Sequence, residues 1–210
     1  MKPGRLSSAA LVVALATLGS MGCATPSERF DRRAGELGLV GETLPGSPFD
    51  HGVYRSPSRD GGRLLHVYLE GDGSPRMASR YSPPDPTPHR PVALELMALD
   101  PGPSILLGRP CQHGRHPNCD PVLWTTGRYG ENVVQSLVAA LRYEITAEGA
   151  PGIVLIGHSG GGALAMLIAE RLPETRAVIT IAGNLDTRRW WTHNGYAPLT
   201  ESLDPAQQHT

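Results

Sequence analysis

Residues 152–172 read GIVLIGHSGGGALAMLIAERL, and this stretch decides how the rest of the chain is read. Ile153, Val154, Leu155 and Ile156 form a short apolar run of the kind that fills a strand buried on both faces. Gly157-His158-Ser159-Gly160-Gly161 follows and fits G-x-S-x-G. Ala163, Leu164, Met166, Leu167, Ile168 and Leu172 then recur at helical spacing, and Pro173 marks a stop. The order is strand, tight turn, helix. A serine at such a turn is crowded, and glycines two residues away on either side leave room for the neighbouring strand and helix. Its hydroxyl stands at a helix N-terminus, where unpaired amides and the positive dipole end favour negative charge.

On these residues the turn resembles the nucleophile elbow of the α/β-hydrolase superfamily. The competing reading is a glycine-rich turn that only packs closely, as in nucleotide-binding folds. A phosphate loop is disfavoured, because no Lys-Ser/Thr pair follows the glycines.

Outward from the elbow, strands and helices alternate, which argues for a mostly parallel sheet flanked by helices. A helix is expected at 26–38, with strands at 39–44 and 51–55 forming a first hairpin. Leu64–Leu69 is the next strand, Pro91–Leu99 a helix and Ser104–Leu107 a buried strand. Glu131–Glu148 is the clearest amphipathic helix, with Val133, Val134, Leu137, Val138, Leu141 and Ile145 in one stripe. Ala177–Ala182 (AVITIA) is expected to be another buried strand.

The strand at 64–69 runs into Glu70-Gly71-Asp72-Gly73. In the superfamily that the elbow resembles, the loop after this strand supplies one oxyanion donor. The resemblance makes the backbone N–H of Asp72 that donor and the N–H of Gly160 the other. Removing one such donor costs about 3 kcal/mol of transition-state stabilisation. The bland alternative is a plain Asp-Gly turn. The Pro-rich run SPRMASRYSPPDPTPHR (74–90) follows directly and is expected to border the site. Trp124 and Tyr129 have two readings, lining the site or packing a long loop, and the second is favoured.

The 210 residues suffice for one domain, and 19 Lys+Arg against 20 Asp+Glu gives no reason to propose a nucleic-acid partner. No cofactor is implied. Residues 1–22 read as a signal peptide: Lys2 and Arg5, then an apolar run at 6–18 too short to span a membrane. Gly22-Cys23 resembles a bacterial lipoprotein signal, although Ser20 stands where that pattern prefers Leu. Lipidation at Cys23, with anchoring to a membrane, is one reading; ordinary secretion with cleavage nearby is the other. Either implies export to the cell envelope. Residues 23–48 then form a tether and N-terminal elements, and 49–210 the hydrolase-like domain.

With Cys23 set aside, Cys111 and Cys119 remain as a pair. Export permits a disulfide between them. The alternative is a zinc site using Cys111, His113, His116 and Cys119 within CQHGRHPNC. Gly114 and Pro117 break the spacing that such a site needs. If the disulfide forms, His113 and His116 are expected to be solvated loop residues.

The runs GRPCQHGRHPNCDPVLWTTGRY, ITIAGNLDTRRWW and NGYAPLTESLDP, together with the elbow, are similar to a group of exported bacterial α/β-hydrolases. That resemblance implies a serine hydrolase taking a small-molecule or lipid acyl substrate. It also implies an acid after the next strand and a histidine beyond it. The sequence ends at Thr210, ahead of both features and of the last strands of the family, so it reads as truncated. Asp186 and His193 are the substitutes available for acid and base; His209 lies at the terminus. The structural role of Asp186 competes with the catalytic one. Two function classes therefore stand. One is a serine hydrolase acting through Ser159, slow for want of a placed base. The other is a catalytically incomplete fragment or exported binding protein of the same fold. Oligomeric state is not legible.

Overall fold

The computed structural model describes residues 24–57, 63–74, 82–114 and 119–208. The signal segment, Cys23, His116 and His209 lie outside them.

Six strands form one sheet: β1 (Val40–Leu44), β2 (His51–Arg55), β3 (Leu65–Leu69), β4 (Ser104–Leu107), β5 (Ile153–His158) and β6 (Thr175–Ile181). Their order is β1-β2-β4-β3-β5-β6. β1 and β2 pair antiparallel, as do β2 and β4. β4, β3, β5 and β6 run parallel. The parallel strands β3, β4 and β5 are almost entirely buried, which explains why they read as unbroken apolar runs.

Helices cover both faces. Helix α1 (Pro26–Glu36) is started by Thr25, whose hydroxyl accepts from the Glu28 amide while the Glu28 carboxylate accepts from the Thr25 amide. It buries Phe30 and Ala34 beside α2 (Val92–Met97) in a core that includes Tyr54, Tyr68, Leu94, Met97 and Leu106. On the other face, α3 (Glu131–Glu148) and α4 (Gly160–Ala169) pack Val134, Leu137, Leu141, Leu164 and Ile168 against Val67, Leu107 and Leu155. Gly149 closes α3 in the left-handed conformation (φ 61°), where glycine carries no Cβ penalty. A short helix, α5 (Thr187–His193), follows β6. Among the described residues, no helix is long and apolar enough to cross a membrane.

Two expectations are corrected. β6 is not a buried strand: it lies at the sheet edge, most of its residues are half-buried or exposed, and Ile179 is 49% exposed. It pairs with β5 alone among the described strands, so one edge and much of one face meet solvent. His113 is not solvated either. It packs edge-on against Phe30 and Tyr54. Gly52 and Gly108 make the space, since a Cβ on them would come within 2.8 and 2.4 Å of the His113 side chain. Burial pushes its imidazole pKa down to about 3, so it is neutral.

Cys111 and Cys119 are joined as a disulfide, with a Cα–Cα distance of 5.6 Å. Bonded sulfurs are not thiolate ligands, which removes the zinc alternative in the oxidised protein. Non-reducing peptide mapping is expected to recover the two cysteines as one linked species; two free thiols in protein isolated without reductant would contradict this pairing.

Candidate active site

The carboxyl ends of the parallel strands converge on Ser159. Strand β5 delivers the serine, and α4 leaves directly from it. Ser159 has φ 52° and ψ −119°, a backbone conformation in which non-glycine residues are strained. Three backbone bonds hold it there. Its amide donates to Ile181 O (2.8 Å), and its carbonyl accepts from the amides of Gly162 (2.9 Å) and Asn184 (3.3 Å). Serine at a helix N-cap ordinarily uses its hydroxyl to bond the first-turn amides. Ser159 makes no such bond, so its Oγ is not spent on the helix.

Glycines make the turn possible. A Cβ on Gly157 would lie 2.2 Å from Gly161 O, and one on Gly161 would lie 2.1 Å from Leu69 O. The end of β3 and the start of α4 therefore touch through backbone. The same closeness brings the turn after β3 to the serine: a Cβ on Gly71 would be 3.4 Å from Ser159 Cβ.

Ser159 opens into a cavity of about 760 Å³, lined also by Glu70, Asp72, Arg128, His158 and Leu199. That volume lies within the range of small-molecule sites. Pro88, His89 and Arg90, from the end of the Pro-rich run, line it as expected. Its far wall is the segment 195–199, which the sequence had not marked as part of the site. Ser202 holds that segment in place, accepting from the Tyr129 amide and donating to Thr126 O.

The residues around Asp72 were also missed. Its carboxylate accepts from Arg109 (2.8 Å), Arg128 (2.9 Å) and the Tyr129 hydroxyl (2.7 Å). Asn184 donates to that hydroxyl (3.2 Å). The two guanidiniums and the phenol hold the carboxyl below the usual carboxylate range despite burial, so Asp72 is ionised. No sequence signal joins these residues, which come from four separate loops. Tyr129 packs, as expected, but as part of this cluster.

Glu70 is 2% exposed. Its carboxylate accepts from the amides of Gly71 (3.1 Å) and Leu94 (3.1 Å), tying the turn after β3 to the first turn of α2. Burial nevertheless raises its pKa from an ordinary 4.5 to about 7. Nearby, His158 Nδ1 lies 3.9 Å from Glu70 Oε2, and burial lowers the imidazole pKa. A carboxyl whose pKa rises on folding stabilises the fold fully below its unfolded value and loses that contribution as pH climbs through the folded one. The window is therefore about pH 4.5 to 7, and a shift of this size corresponds to about 3 kcal/mol. Glu70→Gln keeps the shape without the titration. Urea denaturation across this window is expected to show wild type losing stability with rising pH relative to Glu70→Gln; parallel curves would contradict the assignment.

The two candidate substitutes for acid and base are not brought to the serine. Asp186 is exposed and caps α5, accepting from the Arg189 amide (2.8 Å). His193 is exposed at the other end of α5 and is not among the cavity residues. Among the described residues, the histidines lining the cavity are His89 and His158.

No protein-family model and no curated protein matches the sequence. Solved structures do match in fold, and the fold is that of the α/β-hydrolases. A bacterial membrane phospholipase A superposes with a TM-score of 0.51 and 17% identity over 83% of this chain and 49% of its own. A proline iminopeptidase-related protein from Thermus thermophilus superposes with a TM-score of 0.50 and 18% identity, over 77% of this chain and 52% of its own. The chain thus spans about half the length of these structures.

Proposed function

We propose that this protein is a serine hydrolase of the α/β-hydrolase fold acting on an ester or related acyl substrate. The observation that carries this reading is Ser159: a strained serine (φ 52°) between strand and helix, its hydroxyl not used as a cap, opening into a small-molecule-sized cavity. Ser159 Oγ attacks the acyl carbon and gives up its proton. The tetrahedral species collapses to an acyl-enzyme as the departing alkoxide takes up a proton and leaves as the alcohol. Water then cleaves the acyl-enzyme to the acid and free Ser159. The Gly160 and Asp72 amides donate to the developing oxyanion. The Gly160 amide is suited to this as the first of α4, where helix amides have no intrahelical partner. Neither Asp186 nor His193 is among the cavity residues, and neither is assigned a part in the acyl transfer.

The test is intact mass measurement after exposure to p-nitrophenyl acetate. One acetyl adduct, absent in Ser159→Ala, is the expected result; an unmodified protein that also releases no p-nitrophenol above background would overturn the reading. The positions of Asp186 and His193 favour a second reading, a binding protein of the same fold, under which the cavity takes a ligand and no adduct forms.

We further propose that the protein is exported and lipid-anchored at Cys23, on the strength of the leader sequence and the oxidised cysteine pair. Labelling with a fatty-acid analogue is expected to depend on Cys23, and label retained in Cys23→Ala would count against it.

A further inference from the structure

The cluster around Asp72 is the least expected feature of the site. Five residues from four loops meet there: Asp72 after β3, Arg109 after β4, Arg128 and Tyr129 before α3, and Asn184 after β6. Arg109 and Arg128 are 4% and 8% exposed. Taking this many charges out of water is costly, and replacing buried ion clusters by apolar residues of similar volume is often neutral or stabilising. Stability alone therefore does not account for the cluster.

Its placement does. A Cβ on Gly160 would lie 1.8 Å from Asp72 Oδ1 and 2.5 Å from Tyr129 Oη, so the carboxylate and the phenol rest directly on the first residue of α4. One end of the Asp72 residue is thus a candidate oxyanion amide, and the other end packs against the residue that bears the second. Arg109 extends the brace by donating from its other nitrogen to Glu70 O (2.9 Å), two residues before Asp72 on the same turn. A lone carboxylate here would repel a developing oxyanion. With one carboxylate and two guanidiniums the cluster is net positive instead. Arg128 also lines the cavity, whereas Arg109 does not.

We propose that Asp72, Arg109, Arg128 and Tyr129 are positioning residues for the oxyanion donors, bracing the Asp72 and Gly160 amides with the two guanidiniums outweighing the Asp72 carboxylate. This rests on the acyl-transfer reading above. A preorganised, desolvated arrangement of this kind acts on the transition state and hardly on the bound substrate.

The test uses the full chain and three variants: Arg128→Gln, Arg128→Lys and Tyr129→Phe. Three quantities are read: the second-order rate of fluorophosphonate labelling at Ser159, the affinity for an aryl boronic acid that forms a tetrahedral adduct, and the thermal midpoint. Arg128→Gln is expected to lower labelling rate and boronate affinity at least about tenfold. Arg128→Lys is expected to recover much of both, and Tyr129→Phe, which keeps both charges, to lose less than Arg128→Gln. A lower thermal midpoint in Arg128→Gln with wild-type labelling and boronate binding would overturn the proposal and leave the cluster structural. Should Arg128→Gln fail to fold, wild-type labelling in Tyr129→Phe would overturn the brace. A wild-type chain that neither labels nor binds the boronic acid removes the acyl-transfer reading itself, and this inference with it.

Discussion

Ser159→Ala is expected to reduce organophosphonate capture and ester hydrolysis to background, a loss of about 10³-fold or more in labelling rate, while leaving the fold intact. The two halves of this expectation have separate grounds. The chemistry fails because the electrophile is trapped by Oγ, and the oxyanion donors alone supply only residual rate enhancement. The fold survives because Ser159 Oγ makes no capping bond whose loss would matter. Alanine bears the positive φ no better and no worse than serine, since the strain arises from the Cβ that both carry. Circular dichroism and thermal midpoints check the second half, and labelling kinetics the first. A variant that labels like wild type would place the reactive group elsewhere.

Gly161→Ala is expected to act in the opposite way, on folding before chemistry. Gly161 lies in α4, where alanine should ordinarily gain about 1 kcal/mol in helix propensity. The added Cβ, however, would stand 2.1 Å from Leu69 O and 2.6 Å from Glu70 O. These are backbone atoms at the end of β3, a central buried strand, and they cannot rotate aside as a side chain would. Overpacking of this kind costs about 3 kcal/mol or more, and the propensity gain does not offset it. Against a net stability of about 5–15 kcal/mol for an ordinary domain, that is a large share. Urea denaturation is expected to show a strongly lowered midpoint or no folded protein. A midpoint at or above wild type would mean that the elbow and β3 meet more loosely than these distances imply.

What the sequence made legible was local. The apolar run 153–156, the G-x-S-x-G turn and the helical spacing after it announce the elbow in one continuous stretch, and the amphipathic stripe of α3 is equally plain. The turn after β3 was marked from the strand that precedes it, and because β3 pairs with β5 in the sheet that turn lies beside Ser159. What escaped was non-local. Arg109 and Arg128 look like loop arginines until the fold brings them to one carboxylate. His113 read as a solvated loop residue once the cysteines were paired with each other; the residues that enclose it, Phe30, Tyr54, Gly52 and Gly108, come from distant segments. AVITIA has the composition of a buried strand, yet at the sheet edge its residues are half-buried or exposed, because burial depends on what covers a strand and composition does not carry that. For Asp186 the structural reading had stood beside the catalytic one, and the side chain caps a helix, a use of aspartate that looks the same in sequence as an acid awaiting a histidine.

Everything proposed for the site depends on Ser159 being the nucleophile. Peptide mapping of the wild-type chain after reaction with a fluorophosphonate decides this, because a slow enzyme still accumulates a covalent adduct. A single modified site, Ser159, is the expected result. An adduct on a different residue, or none under conditions that fully modify a control serine hydrolase, would contradict it.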